Sequence, residues 1–180
     1  MNRTHTFAWV LLAVWATWLC AASGYLAQFT WLGNWTPQLL TAFFVAVAAR
    51  APASEIPKIA VALGIARVAV SIDSPAAVLA AALSCGAVLR IARSAIQLES
   101  PALAAAVAFV LTLLEAAWFG LVHSRTNAIL AADWNEFEFA WRAGISTALA
   151  TALFGGVLAN LPGLGSLIRR KTWAVGASLR

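Results

Sequence analysis

The chain has 180 residues, of which 62% are apolar and only 11% are charged, and its mean hydropathy is +0.84. Soluble domains carry roughly a quarter charged residues, so this composition excludes a water-exposed globule and makes lipid the solvent for most of the surface. The net charge of +5 does not indicate nucleic-acid binding, because the basic residues are scattered between apolar runs and form no broad stripe.

The apolar runs predict helices. Backbone amides in hydrocarbon must pair within a helix or a closed barrel, and these Ala- and Leu-rich runs lack the period-two alternation of barrel strands. The sequence therefore predicts an all-α, polytopic membrane protein with a single transmembrane domain. Cys20 and Cys85 lie inside apolar runs, and we expect them to be small buried side chains rather than disulfide partners or metal ligands.

The first apolar run follows Arg3 and extends over residues 7–27, an arrangement that resembles a signal peptide. Trp9, Trp15 and Trp18 are bulky for a segment that is cleaved and discarded. We therefore expect this run to be the first span.

Proline residues mark the starts of later runs. Pro37 suits the first turn of a second helix, and Pro75 and Pro101 follow turn residues that begin the fourth and fifth. The predicted spans are 7–27, 37–50, 57–72, 75–92, 101–122 and 143–168. The second and third are shorter than the roughly 20 residues of an ordinary span, so they require a locally thinned bilayer or form one re-entrant hairpin.

Lysine and arginine positions predict the topology. With the N-terminus in the cytoplasm and six spans, only Arg125 and Arg142 fall outside, and Arg67 lies within a span. The other nine basic residues fall on the cytoplasmic side, as the positive-inside rule requires, and both termini are then cytoplasmic. These nine are Arg3, Arg50, Lys58, Arg90, Arg93, Arg169, Arg170, Lys171 and Arg180.

Two runs carry small residues at four-residue spacing, which places them along one helix face. Helices in lipid associate through such faces, so we expect them to pack within the bundle or against a partner, although an Ala-rich sequence also produces this spacing by chance. In the fifth run they are Ala104, Ala108, Thr112, Ala116 and Gly120, and in the sixth they are Ala148, Ala152 and Gly156. Gly155 and Gly156 together can also bend the sixth helix.

Arg67 and Glu115 are ionisable residues inside predicted spans. A charge at such depth is costly and is usually paired or functional. The sequence leaves four alternatives open, namely two side chains that reach the interface, a structural bridge between them, a proton or ion relay, and a contact with a partner.

The polar stretch between the fifth and sixth runs alternates acidic and aromatic residues, which is typical of an interfacial segment and also suits a docking surface for an extracytoplasmic partner. The acidic residues are Asp133, Glu136 and Glu138 and the aromatic ones are Trp134, Phe137, Phe139 and Trp141. No cysteine or second histidine completes a metal site there, and His123 is expected to be a solvated end residue. No catalytic motif or cofactor motif is found, so we expect no enzyme activity.

Several motifs resemble the MreD family of bacterial rod-shape proteins. These are Pro37-Gln38-Leu39-Leu40, then Gly64-Ile65-Ala66-Arg67 with the turn Ser71 to Pro75, an Ala-rich fourth span ending in Arg90, and a last helix that closes with small residues and a basic tail. The resemblance covers roughly residues 37–171. Val68 stands where the family commonly has an aspartate, and Ala76 stands where it commonly has a glycine.

The resemblance implies a non-enzymatic scaffold of the cell-elongation machinery in the bacterial inner membrane. Such proteins bind the bitopic protein MreC and, through it, link MreB filaments to the peptidoglycan synthases. The family fold is a six-helix bundle that resembles the substrate-binding subunits of energy-coupling-factor vitamin transporters, which makes a small-molecule transport subunit the alternative. The small-residue faces and the lack of a recognisable buried polar pocket in the sequence favour the scaffold, whereas the transport subunit predicts an enclosed ligand cavity with convergent polar groups near the outer face.

Overall fold

A computed structural model describes residues 3–28, 32–96, 98, 100–126 and 134–167. This part of the chain contains six α-helices and two short 3-10 helices at 33–35 and 164–166, and it contains no strand. The α-helices are α1 Arg3–Gln28, α2 Leu39–Ala48, α3 Ile56–Val68, α4 Pro75–Ala95, α5 Pro101–Thr126 and α6 Trp134–Ala159. The prediction of an all-α protein is confirmed for these residues.

Four of the helices, α1, α4, α5 and α6, are long and apolar enough to cross a membrane. The other two are short, since α2 has 10 residues and α3 has 13. At 1.5 Å per residue these two helices are about 15 Å and 20 Å long, against a hydrocarbon core of about 30 Å. Their predicted role as separate spans stays a prediction.

Helix α2 forms the centre of the bundle. All of its residues from Thr41 to Ala48 are buried. A helix that is apolar on every side has to be surrounded by other helices, and α2 packs against α1, α3, α5 and α6. Phe43, Val45 and Val47 are fully buried and are among the largest such side chains of the core.

Successive helices alternate in direction, so the described N- and C-terminal segments lie at the same end. Trp15 in α1 donates a hydrogen bond from its ring N–H to the carbonyl of Pro162, 3.3 Å away, just beyond α6. At this end Arg93 of α4 donates to the carbonyl of Ala48, the last residue of α2. Arg50 donates to Asn160 Oδ1 at 2.9 Å.

We call this end the basic end, because it carries Arg50, Lys58, Arg90 and Arg93 and, among the described acidic residues, Glu55 alone. The grouping agrees with the charge bias that the sequence predicts. The tail that contains Arg169, Arg170, Lys171 and Arg180 lies outside the described residues, as does Asp133.

The last helix differs from its predicted bounds of 143–168. Helix α6 begins nine residues earlier, at Trp134, where Glu138 and Arg142 form an ion pair one turn apart on the helix surface. It ends at Ala159 and not at residue 168, because Pro162 cannot donate a backbone hydrogen bond and Gly163 adopts a φ of 88°. The helix assignment is continuous through Gly155 and Gly156.

Close contact between α3 and α4 depends on glycines. A Cβ atom added at Gly86 would lie 2.7 Å from the Cβ of Ala60, and one added at Gly64 would lie 3.0 Å from the Cβ of Ala82. At these two points the helices are so close together that only glycine, whose side chain is a hydrogen atom, fits without displacing a neighbour.

Candidate functional site

The end opposite the basic end contains a buried ion pair. Arg67, near the end of α3, donates from Nη1 to Oε1 of Glu115 in α5 at 2.6 Å. The Glu115 side chain is 10% exposed and the Arg67 side chain 24%. Because each charge compensates the other, neither is left unpaired in a low-dielectric environment. The sequence leaves four alternatives open for these two residues, and the arrangement in the structure is the bridge between them.

The ion pair is supported from two further sides. The hydroxyl of Thr41, in the first turn of α2, lies 3.3 Å from Oε2 of Glu115 and 3.2 Å from Oε1 of Gln38. The guanidinium carbon of Arg67 lies 4.9 Å from the centre of the Phe119 ring, a cation–π geometry. The pair thus joins α2, α3 and α5 at one point.

The start of α2 is capped by neighbouring helices. The first backbone N–H groups of a helix have no partner within it. Here the N–H of Gln38 donates to the Thr147 hydroxyl of α6 at 2.9 Å, and the N–H of Leu39 donates to the Ser23 hydroxyl of α1 at 3.0 Å. Each hydroxyl also donates to a carbonyl of its own helix, so its hydrogen-bonding capacity is used in both directions.

A second polar cluster lies at the turn between α3 and α4. Oδ1 of Asp73 is 3.1 Å from Nε2 of His123 in α5, and Oδ2 accepts from Ser71 Oγ at 2.7 Å. Partial burial alone would raise the pKa of Asp73, but the hydrogen bonds from Ser71 and His123 and the charge of Arg67 lower the pKa below its ordinary value of 3.8. His123 therefore contacts the turn between α3 and α4 through Asp73. The sequence predicted a solvated residue at a helix end and did not predict this contact.

A crevice of about 590 Å³ joins the two clusters and opens at this end. It exists because α2 begins and α3 ends at the level of the ion pair, while α5 and α6 continue past it. Its polar lining consists of Asn34, Gln38, Arg67, Asp73, Glu115 and His123, and its other walls are Ala116, Phe119, Gly120, Phe139, Ala140 and Ala143. We call it the polar crevice. The transport-subunit alternative predicts an enclosed cavity with convergent polar groups near the outer face, and the structure shows an open crevice with such groups at this end.

The predicted small-residue face of α5 has two parts. Ala104, Ala108 and Thr112 are buried and pack inside the bundle. Ala116 and Gly120 are partly exposed and line the polar crevice. Small side chains on this face therefore allow tight packing at depth and leave room for the crevice farther along the same helix.

The predicted face of α6 points elsewhere. Thr147 and Thr151, which precede the predicted positions Ala148 and Ala152 by one residue, are buried in the bundle. Ala148 and Ala152 are only partly buried and Gly156 is exposed. A Cβ added at Gly156 would meet nothing within 4 Å. This face, Ala148, Ala152 and Gly156, is therefore left mostly unused by the bundle itself.

Sequence reasoning missed the hydroxyl partners of the site. Ser23, Thr41 and Thr147 each stand inside an otherwise apolar helix, which was the available indication that they bond across helices. Within the part of the chain that the structure describes, no group of three His, Cys, Asp or Glu residues could hold a metal ion. The side chains of Trp134, Glu136 and Phe137 are not among those described, so the docking role predicted for that stretch stays a prediction.

Comparisons with protein-family models, with curated proteins and with solved structures each give no match for this chain.

Proposed function

We propose that the chain is a non-enzymatic scaffold of the bacterial cell-elongation machinery, a divergent relative of the MreD family that binds an MreC-type partner in the inner membrane. The proposal rests first on the sequence motifs around Pro37 and Gly64. The alternating directions of the six helices support the six-helix plan of the proposed family, since they give a bundle whose described N- and C-terminal segments share one end.

One observation carries the partner-binding role, namely the unused face of α6. Helix association in lipid is driven by close approach of small residues, and a bitopic partner offers a single helix for that purpose. Ala148, Ala152 and Gly156 form a shallow strip along α6, with the exposed side chains of Leu149, Leu153 and Val157 beside it on the side away from the bundle. Such a strip next to a row of exposed apolar side chains suits a helix that packs lengthwise along α6.

The test is co-purification of the chain with an MreC homologue from the same genome. We expect Gly156→Leu to reduce recovery of the partner strongly, because the new side chain fills the strip at an exposed position where an added Cβ meets nothing within 4 Å. Gly24→Leu is the matched control, since Gly24 is also a helical glycine with nothing within 4 Å of an added Cβ. Recovery of no elongation protein with the unmodified chain would refute the proposal, and equal effects of the two variants would refute the role of α6.

A second candidate, a substrate-binding membrane subunit of a vitamin or small-molecule transporter, is favoured by the polar crevice. Its volume and its convergent polar groups are typical of a site for a small ligand. In this case a water-soluble vitamin or similar compound should stabilise the purified protein by about 2.7 kcal/mol at one hundred times its dissociation constant. Thermal unfolding with a panel of such compounds tests this, and Ala116→Phe, which narrows the crevice, should abolish the effect.

A proton or ion relay has less support. The space on the inner side of the ion pair, between Thr41, Gly64 and Cys85, measures only about 20 Å³, which is room for one water molecule. At greater depth the described buried side chains are mainly apolar, and the hydroxyls of Thr112 and Thr151 donate to carbonyls of their own helices. A relay or channel needs a continuous polar path, which these described residues do not form.

A further inference from the structure

A second open space lies on the lipid-facing side of the bundle near the basic end. It measures about 470 Å³ and is lined by Ala53 and Pro57 on one side and by α4 on the other. The residues of α4 that line it are Leu83, Ala87, Arg90, Ile91 and Ser94. We call it the lipid-facing groove.

The groove follows from unequal helix lengths. Helix α4 has 21 residues and α3 has 13, so α4 is about 12 Å longer at 1.5 Å per residue. The close contact between Gly86 and Ala60 fixes the two helices near the start of α3. The last turns of α4 therefore extend past α3, and one side of them is left without a neighbouring helix.

Polarity changes along the groove. Leu83 and Ala87 form its part nearer the middle of α4, and Arg90 and Ser94 form its part at the helix end. Leu83 and Ser94 are eleven residues apart, or about 16 Å along the helix. A groove of this length that is apolar at its inner part and has a cation at its interfacial end matches a phosphate and the adjoining part of an acyl chain of a phospholipid.

Among Arg50, Lys58, Arg90 and Arg93, Arg90 is the cation for which the described part of the chain offers no partner. Lys58 pairs with Glu55 at 3.0 Å, Arg50 donates to Asn160, and Arg93 donates to the carbonyl of Ala48. Arg90 is exposed and, among the described residues, makes no hydrogen bond or ion pair. Because the carboxylate of Glu55 is neutralised by Lys58, it does not oppose an anion at Arg90.

We propose that the lipid-facing groove binds one anionic phospholipid, with an acyl chain along Leu83 and Ala87 and the phosphate at Arg90 and Ser94. Guanidinium is a strong donor to phosphate oxygens, and basic pockets between membrane helices recognise anionic headgroups. The selectivity comes from Arg90, whereas the apolar walls accept the chain of any phospholipid. This site is independent of the polar crevice and of the α6 face.

The test is native mass spectrometry of the full chain from micelles that contain equal amounts of phosphatidylglycerol and phosphatidylcholine. We expect one phosphatidylglycerol molecule to be retained in preference to phosphatidylcholine. Arg90→Gln should weaken phosphatidylglycerol retention about fivefold, the factor that one basic residue contributes at a membrane surface, and leave phosphatidylcholine retention unchanged. Arg142→Gln removes an arginine at the opposite end and should have no effect.

A second pair of variants tests the apolar half. Ala87→Trp fills the groove and should reduce retention of both lipids, while Ser84→Trp places the same ring on an exposed position of α4 outside the groove and should not. Both variants project into lipid, so neither disturbs the core. Equal effects of Arg90→Gln and Arg142→Gln, equal retention of the two lipids by the unmodified chain, or unchanged retention in Ala87→Trp would each overturn the proposal.

Discussion

The two ends of the bundle use charge in opposite ways. At the basic end, charged groups stay at the surface, close helix ends or pair with a neighbour one turn away, and the core between them is packed from small and aliphatic residues. At the crevice end, Arg67 of α3 and Glu115 of α5 turn inward and bind each other, and Thr41 of α2 donates to the same carboxylate. The comparison teaches that charged groups at one end stay on the surface and close helix ends, whereas at the other end they join helices inside the bundle and shape a site.

The largest effect should come from breaking the ion pair at the crevice end. Glu115→Leu leaves the Arg67 charge without a partner, which should cost about 3 kcal/mol of stability, at the low end of the usual range because the Arg67 side chain is 24% exposed. The measurement is SDS-induced unfolding in mixed micelles. The double variant Arg67→Met, Glu115→Leu should recover part of the loss, and strictly additive losses would show that the pair does not hold this end.

The next largest effect should come from disturbing the close contact between α3 and α4 at Gly86. Gly86→Ala places a methyl group 2.7 Å from the Cβ of Ala60, and the helices must separate to admit it. We expect a loss of about 1–3 kcal/mol in the same unfolding assay. The control is Gly24→Ala, where nothing lies within 4 Å and the better helix propensity of alanine should give a gain of up to about 1 kcal/mol. A neutral Gly86→Ala would remove close packing as the explanation.

A smaller effect is expected for the surface cations of the basic end. Arg93→Gln removes a positive charge from the end of α2, where it binds the carbonyl of Ala48, and should cost about 1 kcal/mol. Arg90→Gln, with no partner among the described residues, should change stability by less than about 0.5 kcal/mol. If Arg93→Gln were as damaging as Glu115→Leu, the contrast between the two ends would not hold.

The smallest effect concerns the pH dependence of Asp73. The pKa of this carboxyl is lower in the folded protein than its ordinary value of 3.8. The ionised carboxylate therefore contributes its full share to the free energy of unfolding above that ordinary pKa, and this share is lost as the pH falls through the lower pKa of the folded state. The stability difference between the unmodified chain and Asp73→Asn should therefore be nearly constant near pH 5 and shrink as the pH falls below about 4. Thermal unfolding at these pH values measures it. A difference that grew with acidity would mean that the pKa is raised.

Composition and local pattern were sufficient for most of the secondary structure. Continuous apolar runs predict helices whatever surrounds them, and the turns before Pro75 and Pro101 start α4 and α5 at the expected residues. The sixth helix was less predictable, because Trp134 to Arg142 is too polar to count as a span and yet forms helix. Hydropathy measures preference for lipid, and a helix can extend beyond the lipid.

The site required the tertiary structure. Arg67 and Glu115 are 48 residues apart, and whether they meet depends on the rotation and depth of two helices, which neither helix encodes alone. The same holds for the Ser23 and Thr147 hydroxyls that cap α2 and for the difference in helix length that opens both the polar crevice and the lipid-facing groove. The sequence by itself determined an apolar, helical chain with several runs long enough to cross a membrane, because these properties are sums over local residues. Only packing decided which polar groups share a site, because that depends on distances between helices.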